Sequence, residues 1–241
     1  MADNHLIAKN TVFLYIRMLL SMGIYLYTTR VVLSILGVED YGIYNVVGGL
    51  VAMFSFLNAT MSGATSRFIT FELGKNSSKV QTVFSVALTI HIIIALIVFL
   101  IGETFGLWFL ENKLTIPATK MYEAKWLLQF SIVTMIFSFT QVPYNASIIA
   151  HEKMNIYAYF ELVNVGLKLL SVYLLLIIDA NKLIFYGAIV MLTQIGVTLL
   201  YRLYCTRKWE HCKFNLSLDR EFLRPLLSYS GWDLFGNASL V

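Results

Sequence analysis

The sequence predicts an all-α, polytopic transmembrane helical bundle, and three observations support this: the composition, the length of the apolar runs and the residues between them. Of the 241 residues, 58% are hydrophobic and 13% are charged, and the mean hydropathy is +0.71. A typical soluble chain is about 25% charged, so this chain has too few charges to cover a surface in water. The composition therefore excludes a soluble enzyme, a nucleic-acid-binding domain and a disordered chain.

Six segments are long and apolar enough to span a bilayer, which takes about 20 residues in a helix. Turn-forming or polar residues, such as Gly37, Gly74 and Pro117, separate them. The runs are continuous, whereas the strands of a membrane barrel would alternate over about 10 residues. The predicted spans are, in order, 11–36, 41–65, 80–100, 126–149, 156–178 and 183–204. A seventh segment runs from Leu226 to the last residue without a polar flank, so we expect the sequence to be a fragment of a longer protein.

The first span carries Arg17 among other polar residues on one face of the predicted helix: Asn10, Ser21, Tyr25 and Thr28. At about 100° per residue, these positions form one narrow stripe. A charge at membrane depth costs about 2.5–3.5 kcal/mol, so such residues usually face other helices or a water-filled cavity. Arg17 either lines a cavity or extends its side chain to the cytoplasmic headgroups.

The second and third spans carry weaker signals. Small residues of the second span, including Gly48, Ala52 and Ser55, favour a seam for helix packing. The third span is almost entirely aliphatic, so we expect it to face lipid, with His91 as a packed residue.

The fourth span places Thr134, Ser138, Gln141 and Asn145 on one face, with Pro143 among them. Proline removes a backbone donor and kinks a helix, which frees carbonyl groups that need partners. This pattern is typical of a helix that lines a cavity or bends during transport, which would make Asn145 a substrate-binding residue. Ordinary hydrogen bonding between helices explains it equally well.

The fifth span carries Glu161, Asn164, Lys168 and Ser171 at spacings of three, four and three. Glu161 and Lys168 lie roughly 10 Å apart along the axis of the predicted helix. Glu161 is a candidate for ion coupling, although it lies near the cytoplasmic end, where water can solvate it. Lys168 lies nearer the middle of the membrane.

The basic residues of the loops set the orientation, because they concentrate on the cytoplasmic side of membrane proteins. With a cytoplasmic N-terminus, that side holds most of them, including Lys75, Lys79, Lys153, Arg207 and Lys208. We therefore predict this orientation, and we ascribe the net charge of +4 to it rather than to nucleic-acid binding.

No motif in the sequence indicates catalysis, a metal or a cofactor. It has no phosphate-binding glycine loop with a lysine, no metal-ligand spacing of His and Glu, and no nucleophile elbow. Cys205 and Cys212 match neither a disulfide scaffold nor a zinc site. We expect a protein without enzymatic activity. Because the sequence has no ATP site, any transport by it must be passive or coupled to an ion gradient.

Four stretches, taken in their order and spacing, carry a family resemblance: 29–44, 67–75, 143–154 and 228–236. The sequence resembles bacterial polysaccharide flippases, the O-antigen (Wzx-type) branch of the multidrug/oligosaccharidyl-lipid/polysaccharide exporter superfamily. The resemblance implies a two-lobed helical transporter that works by alternating access in the bacterial plasma (inner) membrane. This sequence would supply the N-terminal six-helix lobe (1–210), a basic cytoplasmic linker (211–224) and the truncated start of the second lobe (225–241).

The resemblance also implies a substrate, an undecaprenyl-pyrophosphate-linked oligosaccharide moved from the inner to the outer leaflet. The family's cationic cavity implies that Arg17, Arg30 and Lys168 bind this substrate and that Arg67 acts at the cytoplasmic entrance. The residue types fit that chemistry, since arginine binds phosphates in a bidentate manner and charge-assisted hydrogen bonds are strong. The implied partners are membrane lipids and this glycolipid, with no nucleic acid.

Two alternatives remain open. A multidrug extruder of the same superfamily would require an acidic residue in the first span, where this sequence has Arg17. A non-transporting scaffold would recruit glycosyltransferases or a polysaccharide polymerase through the basic loop 202–224, but it would leave Arg17 and Lys168 without a purpose.

Overall fold

The computed structural model describes residues 2–75, 78–178, 181–215 and 218–238, and these ranges contain helices and turns but no strand. This confirms the predicted all-α class. Short non-α turns occupy Gly102–Gly106, Ala118–Lys120 and Glu210–Cys212. The helices are α1 (Ala2–Ala52), α2 (Ser55–Gly74), α3 (Val80–Ile101), α4 (Leu107–Asn112), α5 (Met121–Ala150), α6 (Met154–Ile177), α7 (Lys182–Lys208) and α8 (Arg220–Ala238).

Length and composition make five helical stretches of the described chain suitable for crossing a membrane. This supports the prediction of a multi-pass membrane protein. The five stretches are Tyr15–Ala52, Val80–Asn112, Ala118–Ala150, Met154–Ile177 and Lys182–Lys208.

α1 is two helices that meet at a single residue, Gly37, whose backbone has φ 77° and ψ 172°. The sequence predicted a longer break here and a second span over 41–65. The bounds of that span are wrong: the helix resumes directly after Gly37, is interrupted at Met53 and Phe54, and continues as α2 to Gly74. One glycine suffices for the turn because it adopts a backbone conformation that other residues avoid.

Substitution of Gly37 by alanine is expected to destabilise the protein by about 1–3 kcal/mol, the cost of holding a side-chain-bearing residue in this conformation. A methyl group there would meet no other atom within 4 Å, so backbone strain is the cause. Gly23→Ala is the matched control, because Gly23 is helical and equally free of neighbours. It is expected to be neutral or stabilising by about 0.5–1 kcal/mol. Equal shifts in the thermal unfolding of the two variants in detergent would contradict the strain argument.

The later helices lie close to the predicted spans, with one exception. α8 begins at Arg220, before the predicted Leu226 and within the stretch predicted as a linker. Asp219 explains the early start, since its side-chain oxygen accepts a hydrogen bond from the Glu221 backbone N–H at 2.9 Å. Asp at this position is a strong signal for a helix start, whereas the apolar run that predicted the segment begins only near Leu226.

The described chain packs as two compact units. The first, called here the α1/α6 unit, comprises Met1–Ala52, Leu100–Thr134 and Met154–Val197. The second, the α2/α8 unit, comprises Met53–Phe99, Met135–Lys153 and Thr198–Val241. α5 and α7 each contribute one part to each unit.

The core of the α1/α6 unit lies where α5 and α7 approach each other. Leu127 and Leu183 are almost fully buried there. Gly187 permits the approach, because a Cβ atom at this position would lie 2.6 Å from a methyl carbon of Leu127. Small residues that let helix backbones come close are the usual packing device within membranes, where lipid is as apolar as leucine.

The core of the α2/α8 unit is built around the first half of α3. Val83, Phe84 and Ala87 are completely buried, and the Phe84 ring packs edge-on against Tyr144 at 5.2 Å between centroids. The expectation that the third span faces lipid is therefore wrong for this half. His91 is a packed residue, as predicted, and its Nδ1 lies 2.7 Å from the carbonyl oxygen of Ala87.

Candidate functional site

An open cavity of about 280 Å³ lies between α1 and α6 in the α1/α6 unit, and Tyr25 and Lys168 on its wall are exposed. Its polar lining consists of Ser21, Tyr25 and Thr28 from α1 and of Glu161 and Lys168 from α6, and the rest is apolar. Part of each polar face predicted for the first and fifth spans therefore lines one cavity; the side chain of Asn10, which belongs to the first face, lies outside the described residues. The binding role of these residues stays a prediction.

Two contacts fix how α1 and α6 lie against each other. The guanidinium group of Arg17 lies over the Tyr157 ring, 4.8 Å from its centroid. Further along both helices, the hydroxyl oxygens of Tyr27 and Tyr173 lie 3.3 Å apart and share a hydrogen bond. Because residue numbers increase in the same direction on both helices, α1 and α6 run parallel. The Arg17 contact lies about one turn before the first polar residues of the cavity, and the tyrosine pair lies near its other end.

Several polar atoms along this seam are buried and lack hydrogen-bond partners within the described chain. They are Nε of Arg17, Oγ of Ser21 and Oδ1 of Asn164. A buried polar atom without a partner costs about 1–3 kcal/mol. The seam therefore holds buried polar groups that the described chain leaves unsatisfied, and the residue Ser21 forms part of the cavity wall.

The two charged residues of the cavity also lack ion-pair partners. Glu161 and Lys168 belong to none of the ion pairs within the described ranges. In the same unit, by contrast, Lys120 binds Asp40 at 2.7 Å. Both cavity charges are thus available to a ligand.

The other predicted site residues do not line this cavity. Arg30 belongs to α1 and is exposed. Arg67 and Asn145 belong to the α2/α8 unit, where the Arg67 guanidinium lies 4.8 Å from the centroid of the Tyr229 ring. Oδ1 of Asn145 is buried, without a hydrogen-bond partner among the described residues. The structure therefore brings together Glu161 and Lys168, with Arg17 next to them.

Sequence reasoning missed Tyr157, which holds Arg17. A signal existed, because Tyr157 precedes Glu161 by four residues and so shares its helix face. Aromatic residues were not weighed in choosing the polar face of the fifth span.

A second arrangement that the sequence did not reveal lies in the α2/α8 unit. The His151 ring stacks on Trp209 at 4.1 Å and on His211 at 5.1 Å between centroids. Cys205 and Cys212 are both buried. The neighbouring Cys205 side chain, helped by His211, lowers the pKa of the Cys212 thiol against the opposing effect of burial. No group of three or more metal-ligating side chains occurs in the described part of the chain.

The stability of the α2/α8 unit is expected to fall as the pH drops below about 6.5, the pKa of an ordinary histidine. Burial lowers the pKa of His151, as do the charges of His211 and Lys153, although a hydrogen bond to the Ser147 carbonyl opposes them. The unfolded chain therefore takes up a proton at a higher pH than the folded chain, and protonation favours unfolding. His151→Phe retains an aromatic ring and removes the titration, so its thermal stability in detergent should fall less between pH 7 and pH 5. An unchanged slope would contradict this.

Neither a protein-family profile nor a curated protein sequence matches this chain. Among solved structures, the chain is similar to a MOP superfamily transporter from Pyrococcus furiosus Vc1, with a TM-score of 0.73 and 16% identity over 96% of this chain. MOP is the abbreviation of the multidrug/oligosaccharidyl-lipid/polysaccharide exporter superfamily, which the sequence resembles. That protein is described as having a binding pocket of reverse polarity, which suggests a different function for it.

The likeness shows the fold alone, and it confirms the predicted all-α transmembrane helical bundle. This chain spans 53% of the other protein's length, which is about half.

Proposed function

We propose that this chain is part of a flippase that moves an undecaprenyl-pyrophosphate-linked oligosaccharide across the bacterial plasma membrane by alternating access. The observation that carries the proposal is the polar cavity between two apolar membrane helices, with Lys168 in its wall and Arg17 beside it. The fold supports transport, and the residue types favour an anionic substrate.

A pyrophosphate group explains why cations lie at membrane depth. Electrostatic attraction is stronger in a medium of low dielectric constant than in water. Hydrogen bonds to charged groups contribute about 1.5–3 kcal/mol each. Arg17 is suited to this role because its planar guanidinium group is held against the Tyr157 ring, and a pre-oriented fork of donors loses less entropy when it binds a phosphate.

The α2/α8 unit supports the predicted orientation, with the N-terminus in the cytoplasm. Stacking of His151 on Trp209 brings the turn after α5 close to the end of α7. The basic residues around both segments, Lys153, Arg207 and Lys208, are exposed. Such a cluster favours the cytoplasmic side of the membrane.

A multidrug extruder is the second candidate, and Glu161 is the observation that favours it. A carboxylate in the wall of an intramembrane cavity can bind a cationic drug or exchange a proton. Arg17, beside the same cavity, favours an anionic substrate instead.

The test is flipping of a labelled undecaprenyl-pyrophosphate oligosaccharide in proteoliposomes that contain the full-length protein, with a cationic dye as the parallel substrate. Glycolipid flipping without dye movement is the expected result. Movement of the dye alone would assign the protein to the multidrug branch. Movement of neither, with correctly inserted protein, would favour the scaffold for polysaccharide assembly.

A further inference from the structure

The cavity between α1 and α6 carries one negative and one positive group on the same wall. Glu161 and Lys168 both line it, and they lie about 10 Å apart along the axis of α6. Neither forms an ion pair in the described part of the chain. The cavity is therefore polarised along its length.

Opposite charges held apart on the wall of one cavity favour a ligand that pairs with both, because charge-assisted hydrogen bonds are stronger than neutral ones. A purely anionic ligand would satisfy Lys168 and be repelled by Glu161, and a purely cationic ligand would do the reverse. A ligand with an amine at one end and an anionic group at the other satisfies both.

The volume of the cavity limits the ligand further. About 280 Å³ lies just below the usual range of small-molecule pockets, roughly 300–1,000 Å³. A space of this size holds about one sugar ring, and the rest of a longer glycan would extend through the open side of the cavity. Residues with hydroxyl groups, Tyr25 and Thr28 among them, line the cavity beside the two charges, and the Thr28 hydroxyl donates a hydrogen bond to the Tyr25 carbonyl oxygen. Hydroxyls both donate and accept hydrogen bonds, as the hydroxyl groups of a sugar require.

We propose that this cavity binds a single dipolar sugar of the transported glycan, with its amine at Glu161 and its anionic substituent at Lys168. The inference rests on the proposed function, in which Arg17 binds the pyrophosphate. Arg17 lies at the Glu161 end of the cavity, one turn away along α6 through its contact with Tyr157. Along α6, the ligand would therefore place its pyrophosphate first, its amine second and its anionic group last. This order matches a sugar whose amine is next to the carbon linked to the pyrophosphate and whose acidic group is at the opposite end of the ring.

Isothermal titration of the purified full-length protein in detergent tests this with four probes. Glucosamine 6-phosphate carries both charges, N-acetylglucosamine 6-phosphate lacks the amine charge, and glucosamine lacks the anion. Phosphoethanolamine carries both charges without a sugar ring, as a lipid headgroup does. Glucosamine 6-phosphate is expected to bind about tenfold or more tightly than the two probes that lack one of the charges, since each charge-assisted contact is worth at least that factor. It is also expected to bind more tightly than phosphoethanolamine, which has no ring hydroxyl groups to form hydrogen bonds in the cavity.

Two variants separate the ends of the site. Glu161→Gln is expected to abolish the preference for the amine over the acetamide and to keep the preference for the phosphate. Lys168→Met is expected to abolish the preference for the phosphate and to keep the preference for the amine over the acetamide. Glu39→Gln is the matched control, because Glu39 is exposed and lies outside the cavity, so both preferences should persist.

Several results would overturn the inference. Equal affinities for all four probes, or no binding by any of them, would show that the cavity does not recognise a dipolar sugar. Tighter binding of phosphoethanolamine would assign it to a lipid headgroup. Preserved preferences in Glu161→Gln, together with a flattened pH dependence of flipping, would make Glu161 a proton-coupling group instead.

Binding of the probes in detergent tests this inference, and flipping in proteoliposomes tests the proposed function, so either can fail while the other succeeds. A protein that flips the glycolipid without distinguishing the probes keeps the proposed function and loses this inference. A protein that distinguishes them without flipping the glycolipid keeps the dipolar site and loses the proposed function.

Discussion

Replacement of Arg17 by alanine is expected to lower the rate of glycolipid flipping by about 10- to 100-fold while the protein still inserts into the membrane. This range corresponds to the loss of a hydrogen bond to a charged group, about 1.5–3 kcal/mol. The substitution also removes the contact of the guanidinium with Tyr157, which contributes about 0.5–1 kcal/mol at exposed sites. The measurement is the initial flipping rate in proteoliposomes, normalised to the amount of reconstituted protein.

Two further variants make the result for Arg17 interpretable. Arg17→Lys retains the charge without the planar fork, so it should flip the glycolipid at an intermediate rate. Arg207→Ala removes an arginine that is exposed at the end of α7, and its rate should match that of the unaltered protein. A wild-type rate in Arg17→Ala would mean that Arg17 serves the membrane interface, with its charge at the headgroups.

Replacement of Lys168 by alanine is expected to slow flipping by about tenfold, whereas Lys168→Arg should retain most of the rate. The reason is that Lys168 offers a positive charge at the cavity wall, which arginine also supplies. The rates of both variants are measured in the same proteoliposome assay. Lys182→Ala, at the exposed start of α7 in the same unit, is the control and should leave the rate unchanged. Equal losses in Lys168→Ala and Lys168→Arg would show that shape matters at this position and charge does not.

The spacing of polar residues identified which faces of α1 and α6 line the cavity. Ser21, Tyr25 and Thr28 share a face because a helix repeats every 3.6 residues, and Glu161 and Lys168 share one for the same reason. Periodicity does not reveal which helix a face meets. The pairing of α1 with α6 depends on contacts distant in sequence, such as Tyr27 with Tyr173, which no local pattern encodes.

Three features of the fold differ from the sequence-based prediction or were missed by it, and each has a specific physical cause. The first half of α3 is buried, but an evenly aliphatic helix has no polar side to distinguish a protein-facing surface from a lipid-facing one. The stacking of His151 on Trp209 joins two segments that hydropathy treats as ordinary loop ends. The interruption at Met53 and Phe54 has no glycine or proline, the usual signals for a break, at the break itself; the nearest glycines are Gly48 and Gly49, which lie within the helix.

The single-residue turn at Gly37 has a consequence for how the length of this chain can change. Because only one residue separates the two helices, an insertion or a deletion at this joint cannot be accommodated in a loop. Each residue gained or lost there would rotate the following helix by about 100° about its own axis and shift it by about 1.5 Å. The segment from Val38 to Ala52 would then present a different face to its neighbours. We therefore expect homologous sequences to align across this joint without gaps and to vary in length at the longer connection before α8.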